Sequence, residues 1–80
     1  MKDLKWAHLS NNQLNNVSCL SDLIKLQSLD LSNNHIQNIE YLRGLKDLLH
    51  LNLNDNEIEN VDSLVKMTRL ESLELENNRI

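Results

Sequence analysis

The chain contains 80 residues, 40% of them apolar, and carries a formal net charge of -4. This length allows at most one domain, and with one Trp, one Tyr and no Phe the composition does not predict a bulky globular core. Binding to nucleic acid or to an anionic membrane is disfavoured, because both require clustered Lys and Arg side chains on an electropositive surface.

The cysteine content and the hydropathy of the chain indicate its environment. Cys19 is the only cysteine and cannot form an internal disulfide, which favours a reducing compartment, although a secreted scaffold without disulfides would look similar. No apolar run approaches the ~18 residues of a membrane span, and the first residues lack the profile of a signal peptide. We therefore expect an intracellular, cytoplasmic protein that does not associate with membranes.

An apolar pattern recurs along the chain at a spacing of 22 residues, with an Asn near the end of each copy. Such a recurrence is typical of repeat proteins, in which each unit forms one layer of a stack and buries its apolar residues against the neighbouring units. The units are residues 4–25, 26–47, 48–69 and 70–80. Their copies of the pattern are Leu4-x-x-Ala7-x-Leu9-x-x-Asn12-x-Leu14, Leu26-x-x-Leu29-x-Leu31-x-x-Asn34-x-Ile36, Leu48-x-x-Leu51-x-Leu53-x-x-Asn56-x-Ile58 and Leu70-x-x-Leu73-x-Leu75-x-x-Asn78-x-Ile80.

Each unit predicts a short strand followed by a tight helical turn. Between Leu29 and Leu31 the apolar residues alternate, which is typical of a strand with one face turned inward. From Ile36 to Leu45 the apolar spacing becomes three, which suits a 3₁₀ turn with three residues per turn. In chain order, strands are therefore expected around Leu9, Leu31, Leu53 and Leu75, with a 3₁₀ turn after each of the first three.

These four copies resemble the leucine-rich repeat in its short 22-residue class, which occurs in the regulatory subunit of type-1 protein phosphatase, in bacterial internalins and in several ciliary proteins. The resemblance covers essentially the whole chain. It implies an α/β solenoid, a right-handed superhelix of about three and a half repeats with a concave parallel sheet and convex 3₁₀ turns. The ciliary members make a cytoskeletal or ciliary location compatible with the sequence.

The recurring Asn explains how a chain with one Gly and no Pro can turn at every repeat. In the family that the chain resembles, this residue points inward and hydrogen-bonds the backbone of adjacent coils. An amide carries both donors and an acceptor, so one side chain can satisfy several groups of a bent backbone. The expected Asn ladder consists of Asn12, Asn34, Asn56 and Asn78.

Neither end of the sequence reads as a capping unit with a polar outer face, which natural solenoids carry. Two interpretations stay open: the sequence is a piece of a longer array, or it is an uncapped unit that stacks end to end on copies of itself. We favour a fragment, because an open strand edge invites unwanted association. The isolated chain is expected to be marginally stable or to depend on self-association.

Side chains that alternate with the buried leucines are expected on the concave face of the sheet, in rows that run across the strands. Rows of residues on strands ~4.8 Å apart give a partner a dense and nearly rigid array. In the family that the chain resembles, partners commonly bind this surface. The candidate partner-binding residues are Trp6, His8, Ser28, Asp30, His50, Asn52, Asn54, Ser72, Glu74 and Glu76, with Ser10 and Ser32 beside them and Asn11, Asn33, Asp55 and Asn77 along the rim.

Two features of this array indicate how it would bind a partner. Trp6 offers a large apolar area at low entropic cost and would anchor an interface; alternatively, it packs over the open N-terminal layer as a cap. Negative charge accumulates toward the other end of the array, at Glu71, Glu74 and Glu76. These carboxylates are either an ordinary solvated face or a patch that steers a basic partner.

We expect no catalytic, metal or cofactor site. His8 and Asp30 are predicted to be neighbours across two strands, but without a nucleophile or an oxyanion hole they form at most a surface ion pair. The histidines His8, His35 and His50 are separated from one another and have no Cys or carboxylate at the spacing of metal ligands. The chain is therefore not expected to be an enzyme.

The sequence thus predicts a non-catalytic scaffold that binds another protein on its concave sheet. A standard interface takes ~20–30 residues from each side, more than this array supplies. Either further repeats belong to the natural protein or the binding is weak. The alternative is a structural self-assembler whose open ends stack into oligomers or filaments through a contact that does not close.

Overall fold

The computed structural model describes residues 3–80 and contains four short strands that alternate with three 3₁₀ helices. The strands pair in parallel, in the order of the sequence, and form one open sheet. The predicted solenoid of strands and 3₁₀ turns is confirmed. In chain order its elements are β1 (Trp6–His8), η1 (Ser18–Asp22), β2 (Ser28–Asp30), η2 (Glu40–Gly44), β3 (His50–Asn52), η3 (Asp62–Lys66) and β4 (Ser72–Glu74).

Each strand has one inward residue flanked by two outward residues, which is the apolar alternation seen in the sequence. Successive parallel strands must be joined by a crossover, and such crossovers are right-handed in ~98% of cases. The 3₁₀ helices lie on these crossovers and pack on one another along the convex side. The inward residues are register partners and stack in the order Ala7, Leu29, Leu51 and Leu73.

The core is a column of aliphatic side chains between the sheet and the 3₁₀ helices. It is most completely buried in the second and third coils, where Leu26, Ile36 and Leu53 are 0% exposed. In the last coil Leu73 is 41% exposed and Ile80 is 66% exposed. The buried apolar residues are Ala7, Val17, Leu20, Leu26, Leu29, Leu31, Ile36, Ile39, Leu42, Leu45, Leu48, Leu51, Leu53, Ile58, Leu64 and Met67.

The backbone turns after each strand at a residue with a left-handed conformation. Asn11, Asn33, Asp55 and Asn77 have φ values of 60°, 56°, 60° and 60°. Asn and Asp tolerate this region better than most residues with a Cβ atom, because their short polar side chains can hydrogen-bond locally. These residues, expected only as the rim of the binding surface, thus also form the turn. A chain with one Gly bends at every repeat in this way.

Side-chain amides join neighbouring coils just beyond this turn. Asn34 Oδ1 accepts hydrogen bonds from the backbone N–H groups of Asn12, at 3.0 Å, and Leu14, at 2.9 Å. Its Nδ2 donates to the carbonyl of Leu9 in the preceding coil, at 3.0 Å. Equivalent bonds to the preceding coil recur 22 and 44 residues later. The side chains that make them are Asn34, Asn56 and Asn78.

Asn12 departs from the expected ladder. Among the described residues its side chain donates only to the Ser10 carbonyl of its own coil, at 3.0 Å, and it is exposed to solvent. The reason is that each ladder amide bonds the coil that precedes it, and within residues 3–80 no coil precedes the first. Within residues 3–80, the ladder contacts between coils are therefore made by Asn34, Asn56 and Asn78 and not by Asn12.

A second Asn column, which the sequence analysis did not single out, opens each 3₁₀ helix. Asn38 Oδ1 accepts a hydrogen bond from the backbone N–H of Glu40 at 2.9 Å. Asn16 and Asn60 make the same contact two residues ahead, at 3.1 Å and 2.8 Å. Such Asx turns satisfy an N–H group that a short helix leaves without an internal partner. The 22-residue spacing of this column was a signal visible in the sequence.

Oppositely charged side chains connect successive coils on one flank, before each strand begins. Lys25 Nζ lies 2.9 Å from Asp3 Oδ1, and Arg69 Nη1 lies 3.0 Å from Asp47 Oδ1. These four residues occupy one position of the repeat, 22 residues apart, with charges that alternate in sign. Exposed pairs of this kind contribute ~0–1 kcal/mol each, so they add little to the stability of the fold.

A second column connects the coils on the opposite flank and centres on Glu57. Its Oε2 lies 3.1 Å from His35 Nδ1, its Oε1 accepts a hydrogen bond from Gln37 Nε2 at 3.2 Å, and Arg79 Nη1 lies 3.7 Å away. The Gln37 amide, and then His35, hold the pKa of the Glu57 carboxyl below its ordinary value, because both favour the charged form. One carboxylate thus links three coils.

The convex side carries the 3₁₀ helices and the half-buried Tyr41. The Tyr41 hydroxyl is buried without a hydrogen-bond partner among the described residues. Burial, with a smaller contribution from Cys19, raises the pKa of Tyr41 to about 12, so the hydroxyl stays protonated at neutral pH. The Cys19 thiol is exposed and free. No helix within residues 3–80 is long and apolar enough to cross a bilayer.

Candidate protein-binding surface

The outward side chains of the four strands form two rows across the concave face of the sheet. Each row is a set of register partners, so the position within the repeat decides which residues are neighbours. Strands ~4.8 Å apart hold the members of a row close together. The rows are Trp6, Ser28, His50 and Ser72, followed by His8, Asp30, Asn52 and Glu74.

A third row continues past the ends of the strands. The backbone N–H of Asn33 donates to the carbonyl of Asn54 at 2.9 Å, and equivalent bonds of 3.1 Å and 2.8 Å join the coils on either side. These bonds keep the coils in register up to the turn. The third row is Ser10, Ser32, Asn54 and Glu76, and it contains the two candidate partner-binding residues that lie beyond the strands, Asn54 and Glu76.

Trp6 is the largest apolar side chain on this face and is 62% exposed. It does not belong to the core or to the apolar side chains that pack against the core; at the N-terminal end those are the half-buried Leu4, Leu9 and Leu14. The interpretation of Trp6 as a cap over the N-terminal layer is therefore not supported. Its indole is available on the surface.

Two polar members of the array hold the backbone as well as facing outward. Asp30 Oδ1 and Asn52 Oδ1 each accept a hydrogen bond, at 3.0 Å, from the backbone N–H two residues ahead. Asp30 and His8 are register partners, as predicted, yet no ion pair joins their side chains within residues 3–80. One Asp30 oxygen instead accepts the hydrogen bond from the Ser32 N–H in the turn.

The C-terminal end of the array is acidic. Glu71, Glu74 and Glu76 are exposed, and none of them forms an ion pair with a cation among the described residues. Asn54 links two of them, since its Nδ2 donates to Glu74 Oε1 at 3.3 Å and its Oδ1 accepts from the Glu76 backbone N–H at 2.7 Å. The array thus carries the apolar Trp6 at its N-terminal end and, at its C-terminal end, carboxylates that form no ion pair within residues 3–80.

The concave face contains a shallow depression of ≈ 190 Å³ between β1 and β4. Its walls come from His8, Asp30, His50, Asn52 and Glu74, among others. Small-molecule sites usually occupy ~300–1,000 Å³ and enclose most of their ligand. The depression is smaller than that and open, so its shape suits side chains of a protein partner rather than a sequestered substrate.

The histidines do not converge on a metal-binding arrangement in the described part of the chain. His8 and His50 lie on the concave face, two strands apart, whereas His35 lies on the flank beside Glu57. No group of three or more His, Cys, Asp or Glu side chains within residues 3–80 could hold a metal ion.

Two family models match the sequence, and together they cover nearly all of it. A model described as Leucine rich repeat matches residues 38–80, more than half of the chain, and one described as Leucine Rich repeats (2 copies) matches residues 2–44. The chain belongs to the leucine-rich repeat family. No curated protein matches this leucine-rich repeat chain significantly in sequence.

Solved structures of leucine-rich repeat proteins superpose well on the chain. Internalin C2 of Listeria monocytogenes is 38% identical with a TM-score of 0.86, over 89% of this chain and 31% of that one. A leucine-rich repeat protein of Leptospira interrogans is 32% identical with a TM-score of 0.87, over 96% and 20%. The internalin InlF of L. monocytogenes is 26% identical with a TM-score of 0.83, over 91% and 21%.

The comparisons confirm the resemblance to internalins that the repeat pattern implied. The fold and these neighbours support a repeat scaffold of the kind used in protein interactions. The chain spans less than a third of each of these three proteins.

Proposed function

We propose that this leucine-rich repeat segment is a non-catalytic scaffold that binds another protein on the concave face of its sheet. The observation that carries the proposal is the position of Trp6, which is 62% exposed beside rows of polar side chains. A Trp side chain loses little conformational entropy when a partner covers it, and Trp is enriched at binding hot spots for that reason.

The rigidity of the backbone beneath the array supports the proposal. The strands share one register, and the amides of Asn34 and Asn56 bond the coils together directly below the third row. A surface that is already ordered loses little freedom on binding, so more of the contact energy appears as affinity. The fold thus fixes the positions of the outward side chains, and the chemistry of those side chains determines which partner binds.

The charge distribution indicates the chemistry of the partner. A partner would cover Trp6 with an apolar surface and place basic side chains against Glu74 and Glu76, three strand spacings or ~14 Å away. Unpaired carboxylates attract such a partner over distance and raise its association rate, an effect that salt screens. The partner is a protein with adjacent apolar and basic patches.

A cytoplasmic location, with a cytoskeletal or ciliary one as a special case, belongs to the same proposal. It is supported by the exposed, unpaired thiol of Cys19, since structural disulfides are rare in reducing compartments. The net charge of -4 argues against nucleic acid and anionic membranes as partners. Leucine-rich repeat families such as the internalins are typically non-catalytic, which agrees with a scaffold that needs no cofactor.

Crosslinking tests whether the partner binds the concave face, and affinity measurements test whether Trp6 anchors the interface. A photo-activatable side chain at His50, on the concave face, should capture the partner, whereas one at the exposed Cys19, in η1 on the convex side, should not. With that partner purified, Trp6→Ala should weaken binding about thirtyfold, as removal of a hot spot of ~2 kcal/mol does, without lowering the melting temperature. Calorimetric titration measures the first quantity and circular dichroism the second.

Ile24→Ala is the matched control, because Ile24 is 56% exposed but lies outside the three rows. It should bind the partner as the unmodified chain does. Unchanged affinity of Trp6→Ala, or equal crosslinking from His50 and Cys19, would show that the concave face is not the interface.

Exposed apolar residues in the last coil favour a second function, end-to-end stacking of copies. Leu73 and Ile80 are 41% and 66% exposed, and Leu4 and Leu9 of the first coil are half-buried. Contact between the last coil of one copy and the first coil of the next would extend the sheet without closing, which produces filaments. Sedimentation velocity distinguishes stacked copies from monomers. A mass that grows with concentration supports stacking, and a monomer at all concentrations excludes it.

A further inference from the structure

Positive side chains cluster on the convex side, away from the proposed concave interface. Arg43, Lys46, Lys66 and Arg69 line one open cavity of ≈ 550 Å³. They are 4 of the chain's 8 Lys and Arg residues, in a protein whose net charge is -4. No basic cluster is visible along the chain, because these residues lie up to 26 positions apart and only the stacking of coils brings them together.

The repeat geometry explains their convergence. Arg43 lies in η2 and Lys66 in η3, and these two helices pack against each other. Lys46 and Arg69 follow the same helices within three residues, where the chain returns toward the sheet. The cavity therefore lies at the junction of the second and third coils, where the core is well packed and the backbone is fixed.

Three of these four cations form no direct contact with a carboxylate within residues 3–80. Arg69 Nη1 lies 3.0 Å from Asp47 Oδ1, but the side chains of Arg43, Lys46 and Lys66 form no hydrogen bond or ion pair within residues 3–80. No carboxylate lines the cavity. A neighbouring groove that Arg43 and Lys66 also border contains carboxylates, and none of these pairs with either cation; they are Glu40, Glu57, Glu59 and Asp62.

We propose that this basic cavity docks an acidic segment of a protein partner, in which two or more carboxylates lie beside an apolar side chain. Arg binds carboxylates through paired N–H donors and Lys through a mobile ammonium, so the unpaired cations of the cavity complement such a segment. Val65 does not line the cavity but lies beside it and would supply the apolar contact: it precedes Lys66 in η3, is 77% exposed, and occupies the repeat position of Arg43 one coil later.

The number of cations favours carboxylates over nucleic acid. A protein that holds DNA typically neutralises 6–10 phosphates, more than four side chains can engage. The acidic groove beside the cavity would repel a continuous polyanion or an anionic lipid surface, whereas a short segment contacts the cavity alone. The docking site lies on the side of the solenoid opposite the concave face, so the failure of either proposal leaves the other standing.

Titration with a labelled peptide tests the proposal on the full chain. The probe is a short, Glu-rich peptide with one central Leu, followed by fluorescence anisotropy and by amide chemical shifts. We expect binding that shifts the amides of residues 43–46 and 65–69. Lys46→Glu and Lys66→Glu should each weaken it by about tenfold, because each loses a charge-assisted hydrogen bond and gains repulsion.

Two controls separate a docking site from a general charge effect. Lys5→Glu changes the net charge by the same amount at an exposed position near β1 and should weaken the binding by less than about twofold. A peptide with Gln in place of every Glu should not bind. Circular dichroism establishes that each variant folds.

Four results would overturn the proposal. They are no binding of the acidic peptide, equal weakening by Lys5→Glu and Lys46→Glu, amide shifts confined to the strands, and tighter binding of a single-stranded oligonucleotide or of anionic vesicles than of the peptide. The last result would assign the cavity to phosphate groups.

Discussion

The third and fourth coils carry the same apolar pattern but bury it to different degrees. Leu51 is 2% exposed, whereas Leu73, at the same repeat position, is 41% exposed. They are register partners in β3 and β4, so their local backbone is alike. Leu51 lies between Leu29 and Leu73, while Leu73 has a neighbour on one side only within residues 3–80. Burial in this fold is thus supplied by adjacent coils rather than by the unit itself.

The largest expected effect comes from truncating this column. Leu51→Ala should lower the free energy of unfolding by ~2–5 kcal/mol, because it removes a fully buried side chain and leaves a cavity between two coils. Leu73→Ala should cost about 1 kcal/mol, because much of that side chain is already in water. Urea unfolding followed by circular dichroism measures both values.

Equal losses for the two variants would contradict the comparison. They would show that Leu73 is covered in solution, as stacking of copies would require. Repeating the unfolding of Leu73→Ala at several protein concentrations distinguishes that case, since a loss that depends on association grows with concentration.

The Asn ladder extends the comparison to hydrogen bonds, with a somewhat smaller effect. Asn56→Ala should lower the free energy of unfolding by ~1–3 kcal/mol, because the Leu31 carbonyl and the Ile36 N–H lose their partner inside the protein. Asn12→Ala should cost less than ~0.5 kcal/mol, since its amide bonds one exposed carbonyl. Urea unfolding of both variants checks the difference. A cost for Asn12→Ala as large as that for Asn56→Ala would mean that another coil or copy engages Asn12.

The smallest expected effect concerns the flank column at Glu57, which joins the second, third and fourth coils. The pKa of its carboxyl is lowered in the folded chain. Its contribution to stability is therefore present above the ordinary carboxyl pKa of about 4.3 and is lost as pH falls through the lowered value. Urea midpoints should accordingly fall more steeply in acid for the unmodified chain than for Glu57→Gln.

Glu59→Gln serves as the control for that pH series, because Glu59 is exposed and has no side-chain hydrogen bond within residues 3–80. Its profile should follow that of the unmodified chain. Parallel profiles for all three proteins would show that the contacts of Glu57 do not link the coils in solution.

The fold was predictable because burial in a repeat protein is periodic. The 22-residue spacing of Leu29, Leu51 and Leu73 determines both the strand positions and their register, and the threefold spacing after Ile36 indicates 3₁₀ turns. The residues at which the backbone turns were harder to predict from the sequence. The φ value of Asn33 depends on backbone geometry, and the sequence alone showed only that a polar residue recurs there.

The candidate surface was predictable in its placement and much less so in its contacts. Alternation in the strands places Trp6 and Glu74 on one face whatever their identity. Whether Asp30 pairs with His8 or with a backbone N–H depends on side-chain conformations that periodicity does not specify. The basic cavity at Lys46 and Lys66 was not predictable from the order of charges along the chain, because the stacking of two coils brings these side chains together.

Each ladder amide bonds the coil that precedes it in the sequence, so these hydrogen bonds between coils all run in one direction along the array. A coil that is synthesised later brings the side chain that fastens it to the coil made earlier, since the Asn34 amide bonds Leu9 and the Asn56 amide bonds Leu31. A nascent chain emerging from the ribosome could therefore lock each new turn in place as soon as its asparagine arrives. The coils would then assemble in the order in which they are synthesised, because each ladder amide finds its backbone partners in the preceding coil.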